Sequence, residues 1–550
     1  MENHEIAKVL DEIGDLLELT EESPFKARAY YKGAQVLREN PGYRLDDPKA
    51  LIELPGIGDS LAKLIGELKK TGSSIQHTEL RQKISPEFRR LLHIPGLGPK
   101  TIRLILKEIQ PRNMAELEKA IEQREIRKIK GLSSKTEAKL KRGLEILQER
   151  PTQFSLGVAL PLGRELVNFL EKLPGVFRAG IAGSTIRGRE TVRDLDLVVG
   201  CKEPEKIADG ISSYPRIEKI IKQEENFLRV MTWFGLPVDL YIVPPEAYQS
   251  SIEHLIGDIG HHAKLRQMGA EKGFQWDLIP PGAYSSLGLP LIPPELREAE
   301  AELDLPENLL TQGDIRGDLH MHTRWSDGGH SIKEMALAAA EKGYEYIAIC
   351  DHSKNLAIAK GLRPEQLLEQ RREIDQVNRE LDGKIKVLAG AETDILKDGS
   401  LDFPDEILEG LDLVVGSVHV RYKQNIDDMT ERIEAALKNP YVDILAHPTG
   451  RLVGKRDPYD IHLERVFEAA AQNKKALEIN ASPSRLDLKD KYASMARDWG
   501  IPVAIDTDAH SVEELADMEY GVITARRAAL EKQDVLNTKS LPRFERWLER

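Results

Sequence analysis

Apolar and polar positions change rhythm three times along the chain. Residues 1 to 150 place apolar residues at helical spacing in short amphipathic stretches, joined by tight glycine turns with scarcely any strand pattern. From Ser155 to Val243, β-branched runs (VFRAGIAGS, DLDLVVG, FLRVMTWFG, LPVDLYIV) alternate with helical pieces, which predicts an α+β domain. Residues 244 to 295 read as one helix and a Pro/Gly-rich end, and Leu303 to Gly313 as a linker. From Asp314 onward strand-like runs (YEYIAICDHS, IKVLAGAE, LDLVVGSVHV, VDILAHPTG, ALEINAS, IPVAIDTDAH) recur between helices, which predicts a parallel β/α barrel.

At 550 residues the chain exceeds what one core can organise. The expected divisions are helical parts at 1–80 and 81–150, an α+β part at 151–245, a small subdomain with linker at 246–308, and the barrel at 309–550. No apolar run approaches the roughly 18 residues of a membrane span, and the N-terminus is charged and amphipathic rather than signal-like, so a cytoplasmic protein is expected. Cys201 and Cys350 show no ligand or redox spacing and read as core residues. The net charge of −13 argues mildly against a protein that coats nucleic acid. Residues 1 to 150 nevertheless sum to roughly +4, mostly from Lys100 to Arg150, which permits a DNA-facing N-terminal part.

A repeat supports that direction. Leu54-Pro-Gly56-Ile-Gly58 and Ile94-Pro-Gly96-Leu-Gly98 each precede a helix, with a weaker third copy at Ile129-Lys-Gly-Leu132. In a helix-hairpin-helix, paired glycines let the backbone turn tightly so that amides at the next helix start face a DNA phosphate. A single copy reads as a turn between packed helices; two copies, the second followed by Lys100, predict sequence-independent DNA binding.

In the middle of the chain Gly183-Ser184 is followed ten residues later by Asp194-Leu-Asp196 on an apolar run, and a second strand carries Asp239. Asp-x-Asp alone is most often a solvated edge. Three carboxylates in a low-dielectric site call for cations, and two Mg²⁺ ions roughly 3.5–4 Å apart suit in-line phosphoryl transfer. Gly183 and Ser184 would offer amides and a hydroxyl to a triphosphate, with Arg187 as a cationic clamp. Residues 1 to about 295 resemble a family X DNA polymerase, through FKARAYYKGAQVL, LPGIG, IPGLG, GS…RDLD, PVDLY and the helix ending at EKGF. The resemblance implies gap-filling synthesis from dNTPs, with Asp194, Asp196 and Asp239 holding Mg²⁺ and an N-terminal module gripping the downstream 5′ end. The chain departs from that family where an aromatic pair packs on the incoming sugar, reading His254-Leu255-Ile256-Gly257-Asp258, and at Ile186, where the first of two arginines is usual. The Schiff-base lysine of lyase-active members is replaced by Leu64 beside Lys63, so lyase activity is not predicted.

The metal-ligand pattern begins at His320. His320 and His322 fall on one strand face, and taken alone they read as ordinary polar residues. His352, Glu392, His419, His447, Asp508 and His510 then follow at the ends of successive strand runs, where a β/α barrel builds its active site. This half resembles the PHP (polymerase and histidinol phosphatase) family over residues 314 to 550. The resemblance fills a trinuclear site with His320, His322, Asp327, His352, Glu392, His419, His447, Asp508 and His510. It implies one metal near His320, His322, Glu392 and Asp508, a second near Glu392, His419 and His447, and a third near Asp327, His352 and His510. Mixed imidazole and carboxylate ligation suits Mn²⁺ or Zn²⁺.

The expected protein is a monomer in which the palm fills gaps and the barrel trims 3′ ends of gapped or 3′-recessed duplex. The alternative keeps the barrel as the one active enzyme, with an altered palm that merely positions DNA. A small-molecule phosphatase leaves the helix-hairpin-helix copies without a purpose.

Overall fold

The computed structural model describes residues 3–20, 24–39, 51–52, 54, 56–71, 74–94, 97–148, 153–214, 216–276, 279–299 and 306–549. Among them the chain divides into two compact units, Met1–Thr152 with Trp233–Gly235, and Gln153–Thr232 with Leu236–Arg550.

The first unit is helical and holds two apolar cores. Leu10, Ile13, Leu17, Leu37, Leu61 and Ile65 bury one face each of the helices Asn3–Leu19, Pro24–Glu39 and Asp59–Thr71. The second core gathers Leu91, Ile102, Ile105, Leu117 and Leu140 beneath Pro99–Ile109, Met114–Glu122 and Ser134–Gln148. Both glycine turns open into helices, at Gly58 before Asp59 and at Gly98, which caps Pro99–Ile109.

In the second unit the palm is a five-stranded sheet ordered Val176–Ile181, Leu195–Cys201, Pro237–Val243, Phe227–Thr232, Ile217–Glu224. Its one parallel pairing joins Leu195–Cys201 to Pro237–Val243 and sets Asp196 opposite Asp239. The region after the palm differs from the single expected helix. Tyr248–Ile256 and Ile259–Glu271 are separate helices, because Gly257 is extended and the Asp258 carboxylate accepts the His261 N–H at 2.7 Å, capping the second.

Seven parallel strands in sequence order build the barrel, from Gly317–Met321 through Lys386–Asp394 to Val503–Asp506. First and last strands meet through a Met321–Ala509 bridge, with His322 N–H donating to Ala509 O at 2.8 Å and Asp508 N–H to His320 O at 2.9 Å. Apolar residues fill the bottom, where the helix Leu541–Leu548 inserts Phe544 against Tyr346, ring centroids 5.2 Å apart. Cys201 and Cys350 are both buried free thiols.

Palm and barrel pack directly. Leu156 and Leu160 of the palm helix Leu156–Leu170 meet Leu486 and Tyr520 of the barrel. Gly157 sits so close to Pro483 that a Cβ there would lie 2.5 Å from the proline ring. Ion pairs Arg164–Glu519 and Arg451–Glu190 surround this contact, where partly exposed charges set register more than affinity.

Candidate metal centres

At the mouth of the barrel, strand ends deliver eight of the nine sequence-derived ligands, and the loop after Met321 brings Asp327. Glu392 lies at the centre, 1 % exposed. Its Oε2 is 2.8 Å from His352 Nδ1, 3.4 Å from His320 Nε2 and 3.6 Å from His322 Nε2, and its Oε1 is 3.0 Å from His447 Nε2 and 3.2 Å from His419 Nε2. Five imidazoles crowd one carboxylate. Despite these approaches, Glu392 Oε2, His320 Nε2, His322 Nδ1, His352 Nδ1 and His447 Nδ1 are buried without a hydrogen-bond partner. Glu392 Oε2, His320 Nε2 and His352 Nδ1 thus approach one another without a hydrogen bond, as ligand atoms for a cation would, whereas the Nε2 atoms of His322 and His447 bond to Asp508 and Glu392.

Three groups have ligand atoms close enough to share an ion: His322, Asp327, His352 and His510; His320, His322 and Asp508; and His352, Glu392 and His419. The resemblance-based partition differs in detail. His322 here also joins the Asp327 group, and His352 approaches Glu392 as well as Asp327, which is 3.6 Å from its Nε2. His447 stands beside Glu392 outside these three groups.

Electrostatics in the cluster follow from burial among mixed charges. Burial, then the neighbouring His510 and His352, lower His322 to about 3, and burial with Arg485 lowers His447 to about 4, so both are neutral, ligand-ready imidazoles. Burial opposes charge on His419 as well, but Glu392 and a hydrogen bond to Asp394 outweigh it and raise His419 to about 9.

Two residues that orient ligands were absent from the sequence reading. Glu478 accepts from His320 Nδ1 at 2.7 Å, and its other oxygen accepts the His447 N–H at 2.7 Å. Asp394 accepts from His419 Nδ1 at 2.7 Å. Each fixes which ring nitrogen faces the cluster. A signal existed for both: a lone carboxylate inside the apolar run ALEIN, and the second acid of AETD.

The palm carboxylates are arranged differently. Asp194 immediately precedes the strand Leu195–Cys201 rather than lying on it. Burial, then the charges of Asp194 and Asp239, push Asp196 up to about 7. Asp239 is gripped by Arg229 from the next strand, through Nε and Nη2 at 2.5 Å each, and Arg229 Nη2 is 3.8 Å from Asp194. A repulsive carboxylate set, partly offset by Arg229, Arg193 and Arg187, fits divalent cations by its chemistry. Gly183 has φ +61°, and a Cβ there would lie 1.8 Å from Asp196 Oδ2. Its bare Cα is therefore what lets the short helix Gly183–Ile186 touch the strand that carries Asp196. Arg187 is buried, donating from Nε to Glu298 at 2.8 Å and from Nη1 to Ile256 O at 2.8 Å, so its charge is largely satisfied inside the protein. His254 stacks on His262, centroids 4.5 Å apart, where the family's aromatic pair is altered.

In the helical unit Gly56 has φ +107°, Gly58 and Gly98 are unobstructed, and Gly96 lies outside the described residues. Lys100 is mostly exposed, with Glu18 at 3.8 Å. Lys63 is exposed and Leu64 is in the core.

A parallel barrel with an imidazole-carboxylate cluster at its mouth, joined to a palm with strand-borne aspartates, defines a metal-dependent enzyme of phosphoester chemistry. A helix-hairpin-helix domain model matches residues 1–74, a SAM-like helix-hairpin-helix tandem model residues 88–145, and a PHP domain model residues 318–482. The chain is 36% identical over 570 aligned positions to the DNA polymerase/3′-5′ exonuclease PolX of Bacillus subtilis (strain 168), covering 100% of both chains. It therefore belongs to the family of that polymerase/exonuclease. Its barrel half is also similar to probable phosphatases of Thermoanaerobacter sp. (strain X514), 32% identical over 40% of this chain and 89% of the relative, and of Caldanaerobacter subterraneus subsp. tengcongensis, 29% over 42% and 90%. Among the described residues no helix is long and apolar enough to cross a membrane.

Proposed function

We propose that this chain is a DNA repair polymerase that adds dNTPs to a primer 3′ end in short gaps, and that its barrel is a metal-dependent 3′-5′ exonuclease and 3′-end phosphodiesterase. The observation that carries the reading is the Glu392 cluster, built on the same compact unit as the Asp196–Asp239 strand pair.

The proposed division of labour follows the sequence boundaries. Residues 1–80 and 81–150 hold DNA through amides at Gly56, Gly58, Gly96 and Gly98 and the charge of Lys100; residues 151–245 transfer the nucleotide; residues 246–308 select it; residues 309–550 hydrolyse phosphodiesters. Two Mg²⁺ on Asp194, Asp196 and Asp239 would acidify the primer hydroxyl and neutralise phosphate charge. Up to three Mn²⁺ or Zn²⁺ on the nine barrel ligands would supply Lewis acidity toward water and phosphate.

The protein's own groups set the rest. Glu478 and Asp394 fix the rings of His320 and His419 through Nδ1, so that Nε2 of each faces the cluster. Arg229 neutralises Asp239 and would have to release that carboxylate for a cation to be held there. Ser184, at the start of its helix, lines the same cavity as Asp194. We read the protein as a monomer.

A second reading, in which the palm positions DNA without synthesis, is favoured by Arg229 on Asp239 and by the His254–His262 stack. A labelled gapped duplex separates the two. Extension that survives His320→Ala and vanishes in Asp194→Ala supports synthesis at the palm. Lack of extension by the wild type with Mg²⁺ or Mn²⁺ leaves the second reading. Loss of 3′-to-5′ degradation in His320→Ala and Glu392→Ala assigns that activity to the barrel; persistence in both rejects the assignment.

A further inference from the structure

Three loops at the mouth of the barrel follow ligand histidines: 353–361 after His352, 420–425 after His419 and 450–456 after His447. Together they hold seven lysines and arginines and no aspartate or glutamate, in a chain whose net charge is −13. Their strands lie on one side of the barrel. Leu413–Ser417 pairs with Ile444–Leu445 and with Lys386–Asp394, which pairs in turn with Tyr346–Ile349. Loops free of acids along that side run against the composition of the chain, and such a local excess is the electrostatic footprint of a polyanion.

Each loop is fixed in place. Ser353 N–H donates to Glu392 O at 3.0 Å and Leu362 N–H to His352 O at 2.7 Å. Buried Arg432 donates to Val420 O at 3.1 Å and to Gln424 Oε1 at 2.8 Å. Gly450 N–H donates to His447 O at 2.9 Å, and Leu452 and Arg456 exchange two backbone hydrogen bonds of 2.9 Å. Most of the charges on these loops lack a counter-ion. Arg451 is the exception, paired with Glu190 and donating to Leu486 O. Arg456 lies over the Tyr422 ring, 4.1 Å from its centroid, and its Nε donates to Gly450 O at 2.8 Å. Lys354, Lys360, Arg421, Lys423 and Lys455 are exposed, and among the described residues neither they nor Arg456 form an ion pair. Asp398 and Asp402, on the loop between the first two, accept from Ser400 Oγ at 2.7 Å and from Asn355 N–H at 2.8 Å, and exposed Asp457 follows the third loop without an ion pair.

We propose that these loops form a nucleic-acid-binding rim: the strand whose 3′ end reaches the Glu392 cluster is held by its backbone phosphates on Lys354 and Lys360 of the first loop and on Arg421, Lys423, Lys455 and Arg456 of the other two. This rests on the reading of the barrel as a 3′-5′ exonuclease. A small phosphate ester calls for one or two cations beside the metals, whereas six cations spread over three loops match a run of phosphates along a strand. Because the loops are already fixed, they hold these charges at little ordering cost on binding. The rim binds and does not react; hydrolysis stays with the metal ligands. It is a second DNA-holding surface, separate in sequence from the glycine turns of the helical unit.

The test uses full-length protein carrying Lys423→Ala with Lys455→Ala, Lys423→Arg with Lys455→Arg, or Lys354→Ala with Lys360→Ala. Substrates are a labelled single-stranded oligonucleotide and bis(p-nitrophenyl) phosphate, a diester too small to span the loops. Each alanine pair raises the oligonucleotide KM about tenfold, with kcat within about twofold, because uniform binding is lost. The slope of log KM against log salt falls by about 1.4, as two lost contacts to a single strand require. The arginine pair keeps the wild-type slope because both charges remain. Hydrolysis of bis(p-nitrophenyl) phosphate stays within about twofold of wild type. Thermal unfolding followed by circular dichroism establishes that each variant is folded. Unchanged KM and salt slope in the folded alanine pairs overturn the proposal, and so does an equal loss on both substrates, which would mean a disturbed metal cluster. Poly-glutamate that competes as well as an oligonucleotide of equal charge would make the rim a general polyanion surface and also overturn it. A wild type that cleaves the small diester but not the oligonucleotide overturns the exonuclease reading; weaker oligonucleotide binding by the alanine pairs, read by fluorescence anisotropy, then still supports the rim, and its absence rejects both.

Discussion

Glu392 shows at the scale of one residue how the barrel is poised. Its carboxylate has two oxygens and five imidazole neighbours, and Oε2 makes no hydrogen bond to any of them. Buried polar atoms without partners cost roughly 1–3 kcal/mol each, so the arrangement stores a preference for cations that binding releases. The orienting acids should therefore matter to metal affinity before they matter to fold. Glu478→Gln removes the charge that holds His320 Nδ1–H and is expected to weaken Mn²⁺ binding roughly 10- to 100-fold, measured by paramagnetic resonance titration of free Mn²⁺. Affinity equal to wild type would show that Glu478 has no orienting role. In the palm, Gly183→Ala drives a Cβ into Asp196 Oδ2 at 1.8 Å and also strains φ +61°. Primer extension should fall by about 100-fold or more, as expected when reacting groups shift by about 1 Å. Exonuclease activity of the same preparation serves as the comparison, and equal loss of both would mean global unfolding instead.

At the scale of elements, strand ends were legible and helix junctions less so. Period-two apolar runs that end in His, Glu or Asp identify both the strand and the residue it projects, because a strand's direction fixes where its last side chains lie. That is why His352, His419 and His447 could be placed from sequence. Gly257-Asp258 was harder, since an apolar rhythm continues across it and a single helix fits nearly as well as two. Asp194, likewise, is one residue short of its strand. The second of those helices carries His261, whose Nε2 lies 2.9 Å from the Tyr284 hydroxyl and which burial, then Arg297, lowers to about 4. Burial and His254 bring His262 to about 4 as well. The unfolded chain binds a proton at each near pH 6.5, whereas the folded chain does so near pH 4. Stability is therefore full above about pH 6.5 and declines as the pH falls toward 4. For His261→Gln, urea midpoints measured from pH 7 to 4.5 should fall less steeply than for the wild type, a difference of about 2 kcal/mol across that range. Parallel slopes in the two proteins would contradict this assignment.

For the whole molecule, the division into two compact units predicts how the chain melts. Calorimetry should resolve one transition for residues 1–152 and another for palm and barrel together. Gly157→Val overpacks the palm helix against Pro483, and should lower the second transition by the equivalent of about 1–3 kcal/mol while leaving the first in place. A shift of both transitions would mean that the units unfold as one. The glycine repeat, the alternation of strand and helix, and the order of ligand-type residues along the barrel were fixed by sequence alone, because turns, strand periodicity and strand-end positions are set within a few residues. Tertiary structure decided the rest. His320 meets Glu478 across 158 residues, Arg187 meets Glu298 across 111, and Arg527 reaches the Arg187 carbonyl across 340. No local pattern records such pairings. They depend on how the first and last strands close and how the palm seats on the barrel, and only then does Arg187, a clamp predicted for phosphate, become a buried strut.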